Sequence, residues 1–296
     1  MKQKSAFITI VGRPNVGKSS LLNILVGEKI AAVSEKPQTT RTKITGVLTK
    51  DNTQFVFIDT PGMHKAKNKL SEHMVKTIND AVSDIDIAML VVDCTKTIND
   101  SEMNLIASFK ATKAQVILIL NKIDLLENKT DLLPKIEELS KLYDFKAVIP
   151  VSIINNDGID IIMNELNKNA VEGPHYFPTD MLTDQPEKVI AAEIIREKIL
   201  HLLSDEIPHG TAVAIETMRE RDDKDLLDIT ATIFCERESH KGIIIGKNGA
   251  MLKKIGSSAR NELELFFQIK VNLQCWVKVK EGWRNREGII KNFGLS

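Results

Sequence analysis

The sequence predicts an α/β domain followed by a smaller α+β domain, and three observations support this division. Up to about residue 170, short apolar runs alternate with amphipathic stretches, which is typical of a mostly parallel sheet with helices on both faces. The next stretch, VEGPHYFPTDML, has two prolines, a glycine and no periodicity. Beyond it the element order changes. We therefore expect domains at 1–170 and 183–296, joined by a linker at 171–182.

The first domain has five strand candidates, separated by segments of helical period. Strands are predicted at 6–11, 54–59, 86–93, 115–120 and 147–152. Helices are predicted after the first glycine turn and at 71–82, 101–112 and 132–143. Ligands of parallel α/β sheets bind outside the carboxyl ends of the strands. Functional residues are therefore expected in the turns that follow these strands.

The second domain is predicted to begin with a long helix and two antiparallel strands. The helix covers 186–206, the strands 211–218 and 226–236, and a last strand 269–280. Between the second and last strands, a helical pattern follows the stretch GIIIGKNG, whose apolar run alone suggests a further strand.

Composition describes an ordinary globular protein without a membrane span. Forty basic residues balance forty acidic ones, and three scattered cysteines suit a reducing cytosol better than a disulfide framework. The apolar run near the amino terminus is too short for a signal peptide and is expected to be the first strand. Charge is unevenly distributed, since 180–236 carries six Lys/Arg against fourteen Asp/Glu and 237–296 carries twelve against five. The basic carboxyl end favours a polyanionic partner.

A phosphate-binding loop follows the first strand. Residues 12–19, GRPNVGKS, match G-x-x-x-x-G-K-[ST] between a strand and a helix. Lys18 is expected to contact the β- and γ-phosphates, and Ser19 to bind Mg²⁺. The candidate nucleotide-binding residues here are Gly12, Arg13, Pro14, Asn15, Val16, Gly17, Lys18, Ser19 and Ser20.

The choice of guanine follows from Asn121, Lys122, Ile123 and Asp124, at the end of the fourth predicted strand. The Asp124 carboxylate can accept from both the ring N1–H and the exocyclic amine of guanine, whereas adenine leaves it without a partner. Ser152 is a further candidate, through a backbone contact to the base. We therefore predict GTP and GDP, with Mg²⁺, as ligands.

Two further segments are expected to respond to the γ-phosphate. Asp59, Thr60, Pro61 and Gly62 end the second predicted strand, where Asp59 approaches Mg²⁺ and the Gly62 N–H contacts the γ-phosphate. The segment Gln38–Arg41 offers a threonine to the metal; we favour Thr40, although spacing does not separate it from Thr39. The predicted catalytic residues are Lys18, Thr40 and Gly62, the metal ligands Ser19, Thr40 and Asp59, and the neighbouring candidates Met63, Arg13 and Arg41.

A second glycine-lysine turn lies in the basic segment. In Gly246-Lys247-Asn248-Gly249 the bare backbone would let a nucleic-acid strand approach, while Lys247 would contact a phosphate. The further RNA-binding candidates are Ile244, Ile245, Lys253, Lys254, Lys278, Lys280, Trp283 and Arg284, with Trp283 stacking on a base. Trp276, in the middle of a predicted strand, is expected in the core.

These motifs, GRPNVGKS, QTTR, DTPG and NKID, resemble those of the bacterial Era-type GTPases in order and spacing, over essentially the whole chain. The resemblance implies a type II KH domain in which GIIIG is a short helix and GKNG clamps about four nucleotides. It also implies binding near the 3′ end of 16S rRNA, assistance to 30S subunit maturation, and some peripheral inner-membrane association. We further expect a cytoplasmic monomer. Met63 stands where Ras-like proteins have a water-positioning glutamine, so we expect hydrolysis to be slow or to need another group.

The sequence disfavours two other classes of function. A metabolic P-loop kinase is disfavoured by NKID and by the lack of an evident acceptor-binding insertion. A membrane-surface signalling GTPase is disfavoured because the tail lacks a dense Lys/Arg cluster.

Overall fold

The computed structural model describes residues 2–34, 36, 39–61, 69–70, 85–204, 206–293 and 295. By their contacts, these residues form two compact units. The first contains 2–30, 40–61 and 85–184, and the second contains 31–39, 69–70 and 185–295 apart from the residues left undescribed.

The first unit contains a mostly parallel sheet, as predicted. Its strands are β1 Lys4–Val11, β2 Ile44–Lys50, β3 Thr53–Asp59, β4 Ile87–Asp93, β5 Val116–Asn121, β6 Ala147–Val151 and β7 Val171–Glu172. The strand order is β2-β3-β1-β4-β5-β6, with β2 antiparallel to β3 and β7 antiparallel to the start of β1. The described helices are α1 Lys18–Val26, α2 Asp100–Thr112, α3 Leu132–Ser140 and α4 Ile159–Asn169.

The central strands explain why their continuous apolar runs predicted a sheet correctly. Every residue of β3, β4 and β5 is buried, as expected for strands covered on both faces. Strand β2 was not predicted, because its short apolar pattern is interrupted by Gly46. Strand β7 occupies the start of the segment that was expected to be a linker. The helix predicted at 71–82 lies outside the described residues.

The second unit has the predicted α+β order. Its elements are α5 Glu187–Leu202, β8 Ala212–Glu220, β9 Leu226–Cys235, α6 Glu238–Ile245, α7 Ala250–Phe267, β10 Lys270–Val279 and α8 Glu287–Asn292. Strand β9 is central, antiparallel to β8 and parallel to β10. GIIIG falls at the end of α6, so the helix implied by the family resemblance is confirmed and the strand suggested by its apolar run is wrong.

The two tryptophans of this unit exchange their predicted places. Trp283 is fully buried, its Nε1–H donates to the Gly210 carbonyl at 2.9 Å, and its ring packs edge-on against Phe293. A side chain held in this way is part of the core, so the prediction that Trp283 stacks on a base is wrong. Trp276 is 60% exposed and therefore does not belong to the core, contrary to expectation.

None of the helices in the described part of the chain combines the length and apolar character that a membrane crossing requires.

Candidate functional site

The phosphate loop joins β1 to α1 and depends on two glycines. Gly12 has φ 149°, and a Cβ there would lie 2.3 Å from the Val91 carbonyl oxygen. Gly17 has φ 107°, and a Cβ there would lie 2.5 Å from Asn121 Nδ2. Any larger residue would clash at both positions, besides adopting a strained backbone. The loop therefore presents bare backbone at the amino end of a helix, which is the geometry that binds phosphate.

Lys18 lies buried within this loop. Only 6% of the residue is exposed, and its Nζ donates to the Arg13 carbonyl across the loop at 3.0 Å. Burial lowers the pKa of Lys18 to about 8, and the attraction of Asp59 opposes this shift only in part. A buried ammonium with one backbone partner gains from a nearby anion. The lysine is therefore suited to a phosphate chain.

Three oxygen-bearing side chains meet beside the loop. Ser19 Oγ lies 2.8 Å from both Asp59 Oδ2 and Thr40 Oγ1, and Thr40 Oγ1 donates to Asp59 Oδ2 at 3.1 Å. Asp59 is fully buried, burial raises its pKa, and its Oδ1 has no hydrogen-bond partner among the described residues. Mg²⁺ prefers oxygen ligands of this kind. These residues fit the magnesium site that the sequence predicted.

The same geometry separates the two threonines. Thr39 Oγ1 donates to the Lys36 carbonyl at 2.6 Å, whereas Thr40 points its hydroxyl at Asp59 and Ser19. This arrangement supports Thr40 as the threonine ligand.

Thr40→Ala should raise the Mg²⁺ concentration needed for GTP-analogue binding by about tenfold, since one polar contact to a charged group is worth about 1.5 kcal/mol. The measurement is nucleotide affinity across a Mg²⁺ titration. Thr39→Ala is the matched control and should leave the titration unchanged. An equal effect of both substitutions would contradict the assignment of Thr40.

The guanine-specificity residues are tied to the phosphate loop by Asn121. Its Nδ2 donates to the Val16 carbonyl at 2.7 Å, and its Oδ1 accepts from the Ile153 N–H at 3.1 Å. Thr60 is buried, with its hydroxyl donating to the Ile10 carbonyl at 3.1 Å. The loops that follow β1, β3 and β5 are thus held at one edge of the sheet.

Lys122 and Asp93 form an ion pair that the sequence analysis missed. Lys122 has φ 72°, and its Nζ lies 2.9 Å from Asp93 Oδ2. Burial acts to raise the pKa of Asp93, but hydrogen bonds from Thr95 and Lys122 outweigh it and keep the pKa below its usual value. The sequence could have indicated Asp93 as a site residue, because it ends a fully buried strand at the edge of the sheet where ligands bind.

Ser152 has a different role from the one predicted. Its N–H donates to the Asp157 carbonyl at 3.1 Å, so this group is not free for the base. Its Oγ instead donates to Asp124 Oδ1 at 2.5 Å. The prediction of a backbone contact is therefore wrong. Ser152 instead holds the Asp124 carboxylate, which the sequence predicts to select guanine.

Gln38, Gly62 and Met63 lie outside the described residues. The Arg13 guanidinium lies 3.5 Å from the buried carboxylate of Glu102. Ser20 lies in α1, Pro61 is buried after β3, and Ile123 begins a single 3₁₀ turn.

The second glycine motif is a sharp turn between α6 and α7. Gly246, Asn248 and Gly249 have φ values of 73°, 52° and 76°, which glycine and asparagine tolerate best. A Cβ on Gly246 would lie 2.8 Å from Met251 Cβ, whereas one on Gly249 would meet nothing within 4 Å. Lys247 is exposed. The turn therefore presents open backbone beside a cation.

The surrounding candidates divide into exposed and buried groups. Lys253 and Lys254 are exposed on α7, and Lys278 and Lys280 are exposed on and after β10. Ile245 is half-buried. Ile244 is fully buried in the core, so the prediction that its side chain contacts RNA is wrong. The Arg284 guanidinium is paired with Glu236.

Comparison with known proteins gives the same two modules. A family model described as "50S ribosome-binding GTPase" matches residues 7–122, and a KH-domain model matches residues 206–284. The fold and the two sites thus define a P-loop GTPase domain followed by a KH domain. GTP, GDP and Mg²⁺ are the ligands of this class, as the sequence predicted.

The chain belongs to the Era family of GTPases. It is 52% identical to GTPase Era of Clostridioides difficile (strain 630) over 297 residues, covering 99% of each chain. It is also 52% identical to GTPase Era of Ruminiclostridium cellulolyticum over 294 residues, covering 99% of this chain and 98% of the relative.

Two solved Era structures share the whole fold. One is Era in complex with MgGDPNP and nucleotides 1506–1542 of 16S ribosomal RNA, with a TM-score of 0.96 and 37% identity over 99% of each chain. The other is an Aquifex aeolicus Era variant bound to GDP and AlF4⁻, with a TM-score of 0.96 and 36% identity over 99% of this chain and 100% of that one. The family resemblance predicted from the motifs is confirmed.

Proposed function

We propose that this protein is a slow regulatory GTPase that binds the 3′ region of 16S rRNA and assists maturation of the 30S subunit. The observation that carries the proposal is the likeness over the whole chain to Era in complex with nucleotides 1506–1542 of 16S rRNA. Residues 1–170 form the nucleotide-binding domain, residues 183–296 form the RNA-binding domain, and residues 171–182 link the two. The exposed Lys247 and Asn248 of the turn, and the open space beside Gly249, support this division.

The nucleotide chemistry is assigned to residues of the first unit. Ser19, Thr40 and Asp59 hold Mg²⁺, which neutralises developing charge on the phosphates. Lys18 binds the β- and γ-phosphates, and Asp124 selects guanine. The Gly62 N–H contacts the γ-phosphate. Met63 carries no group that could orient the attacking water, so hydrolysis is slow.

The segment before Thr40 supports a link between nucleotide state and RNA binding. Residues 31–39 group with the second unit, where the Val33 N–H donates to Glu197 Oε2 at 2.8 Å and Arg196 donates to the Thr39 carbonyl. The next residue, Thr40, belongs to the metal site of the first unit. If the γ-phosphate changes the position of Thr40, the backbone can transmit that shift directly to residue 39 of the RNA-binding unit.

This proposal predicts that RNA affinity depends on the bound nucleotide. With the fragment 1506–1542 as probe, the GTP-analogue form should bind about 5- to 150-fold more tightly than the GDP form, which corresponds to a coupling of roughly 1–3 kcal/mol. Fluorescence anisotropy at fixed salt measures both affinities, and a shuffled RNA of equal composition is the control. Equal affinities in the two states would remove the regulatory part, because a ligand indifferent to two states shifts neither.

The proposal also includes a cytoplasmic monomer with peripheral association at the inner membrane. The resemblance of the motifs to those of the Era-type GTPases supports it. Flotation with anionic vesicles, compared with binding to the rRNA fragment, tests whether lipid competes with RNA.

A further inference from the structure

One face of the sheet of the second unit does not pack on α5 and α7. The carboxyl end of this face is partly covered, because Phe234 packs on Phe293 after α8 with ring centroids 4.7 Å apart and Thr232 is buried, whereas β10 is exposed around Trp276. The core side chains of β9 and β10 are odd-numbered, such as Ile229, Ala231 and Ile233, and they pack with residues of α5 and α7. The even-numbered positions lie on the opposite face, where Trp276 pairs with Thr232 and Lys278 with Phe234. We call these even-numbered positions of β9 and β10, with the β8 residues beside them, the open face.

Trp276 is the main feature of the open face. It is 60% exposed in the middle of an edge strand, between the exposed residues Gln274 and Lys278. A large ring exposed at this position costs hydrophobic free energy in the free protein. Its backbone is nevertheless part of the ten-residue strand β10.

The charge of the open face favours an anionic partner. Lys278 is exposed on this face, and Lys280 is exposed immediately after the end of β10. Among its paired positions, all within the described part of the chain, the one acidic residue is Asp228. Arg221 neutralises that acid through two contacts, of 2.5 and 2.9 Å, and Asn272 donates to it at 2.7 Å.

Unstacked RNA has the chemistry that fits this face. Bases stack on aromatic rings, and RRM domains use aromatics on an open sheet in this way. Lysines beside the ring can contact the phosphates of the same strand. The neighbours Thr230, Thr232 and Gln274 on this face are polar, and the Phe234 ring packs on Phe293. The exposed patch is therefore too small and too hydrophilic for a lipid surface.

We propose that the open face is a second RNA contact, separate from the turn at 246–249, in which a base stacks on Trp276 and Lys278 and Lys280 hold the adjacent phosphates. The inference rests on the proposed RNA-binding function and extends it to a surface outside the glycine turn. It predicts that an RNA longer than the four nucleotides gripped by a KH clamp gains affinity from this face.

The test compares Trp276→Ala with Trp276→Phe in the full-length protein. With the RNA fragment 1506–1542, alanine should weaken binding by about 5- to 150-fold, because stacking on an aromatic ring is worth about 1–3 kcal/mol per base. Phenylalanine should restore most of the affinity. A tetranucleotide that fills only the clamp should bind all three proteins equally. Lys278→Ala should reduce the salt dependence of binding, whereas Trp276→Ala should not.

Fluorescence gives an independent readout, since the chain has two tryptophans and Trp283 is fully buried. The long RNA should quench the exposed Trp276, and this quenching should be absent in Trp276→Ala. If Trp276→Ala bound the RNA fragment as tightly as the wild type, the inference would be overturned. The same holds if Trp276→Ala no longer floated with anionic vesicles but still bound RNA, because the face would then contact lipid. If the wild-type protein itself failed to bind the fragment, the proposed function would fail first.

Discussion

Lys18→Ala should weaken GTP binding by about 100-fold or more without unfolding the protein. A hydrogen bond to a charged group is worth about 1.5–3 kcal/mol, and this lysine is expected to reach two phosphates. The fold should tolerate the change, because the buried lysine, whose pKa is lowered to about 8, carries a desolvation cost that alanine removes. Isothermal titration with a GTP analogue measures the loss.

The control for this substitution is Lys50→Ala, which removes an exposed lysine from the end of β2. That variant should bind nucleotide as the wild type does. In Lys18→Ala, thermal melting without nucleotide should be unchanged or slightly raised, and RNA affinity should no longer respond to added GTP analogue. A Lys18→Ala protein that binds GTP within about threefold of wild type would contradict the assigned role of this residue.

Gly249→Asp should abolish most RNA binding while GTP turnover continues. A Cβ at this position meets nothing within 4 Å, and the backbone conformation, φ 76°, is one that aspartate tolerates better than most residues. The substitution therefore places a negative charge where an RNA phosphate is expected to approach, with little strain. We expect affinity for the rRNA fragment to fall by at least about tenfold, for an unfavourable contribution of roughly 1.4 kcal/mol.

Gly249→Asn is the matched control, because asparagine has the same shape and tolerance of this backbone but no charge. It should retain most RNA affinity. Gly246→Asp is less informative, since a Cβ there would lie 2.8 Å from Met251 Cβ and would disturb the start of α7. If the aspartate and asparagine variants at 249 bind RNA equally, the turn does not face a phosphate.

The parts of the site that were predictable from sequence are those fixed by local pattern. Gly12 and Gly17 lie between a buried strand and a helix that begins at Lys18, so motif and context agree. Asn121 and Asp124 follow a second buried strand in the same way. What local pattern did not decide was the choice between Thr39 and Thr40, because it depends on where Asp59 and Ser19 lie in three dimensions.

The errors concern side chains whose surroundings come from distant parts of the chain. Trp283 is buried against the Gly210 carbonyl, 73 residues away, and no local pattern signals such a contact. The exposure of Trp276 was signalled, because Val271, Leu273, Cys275 and Val277 alternate with Asn272, Gln274, Trp276 and Lys278. Strict alternation places this tryptophan on the polar face. The residue type favours the core and the period favours the exposed face, and the structure agrees with the period.

The most direct test of the whole account is RNA crosslinking in cells with wild type, Gly249→Asp and Gly249→Asn. The account predicts crosslinks near the 3′ end of 16S rRNA for the wild type and the asparagine variant. It predicts their loss in the aspartate variant, which should still hydrolyse GTP at the wild-type rate. Crosslinks that persist unchanged in Gly249→Asp, or that lie elsewhere in the wild type, would contradict the division of work between a nucleotide-binding unit and an RNA clamp.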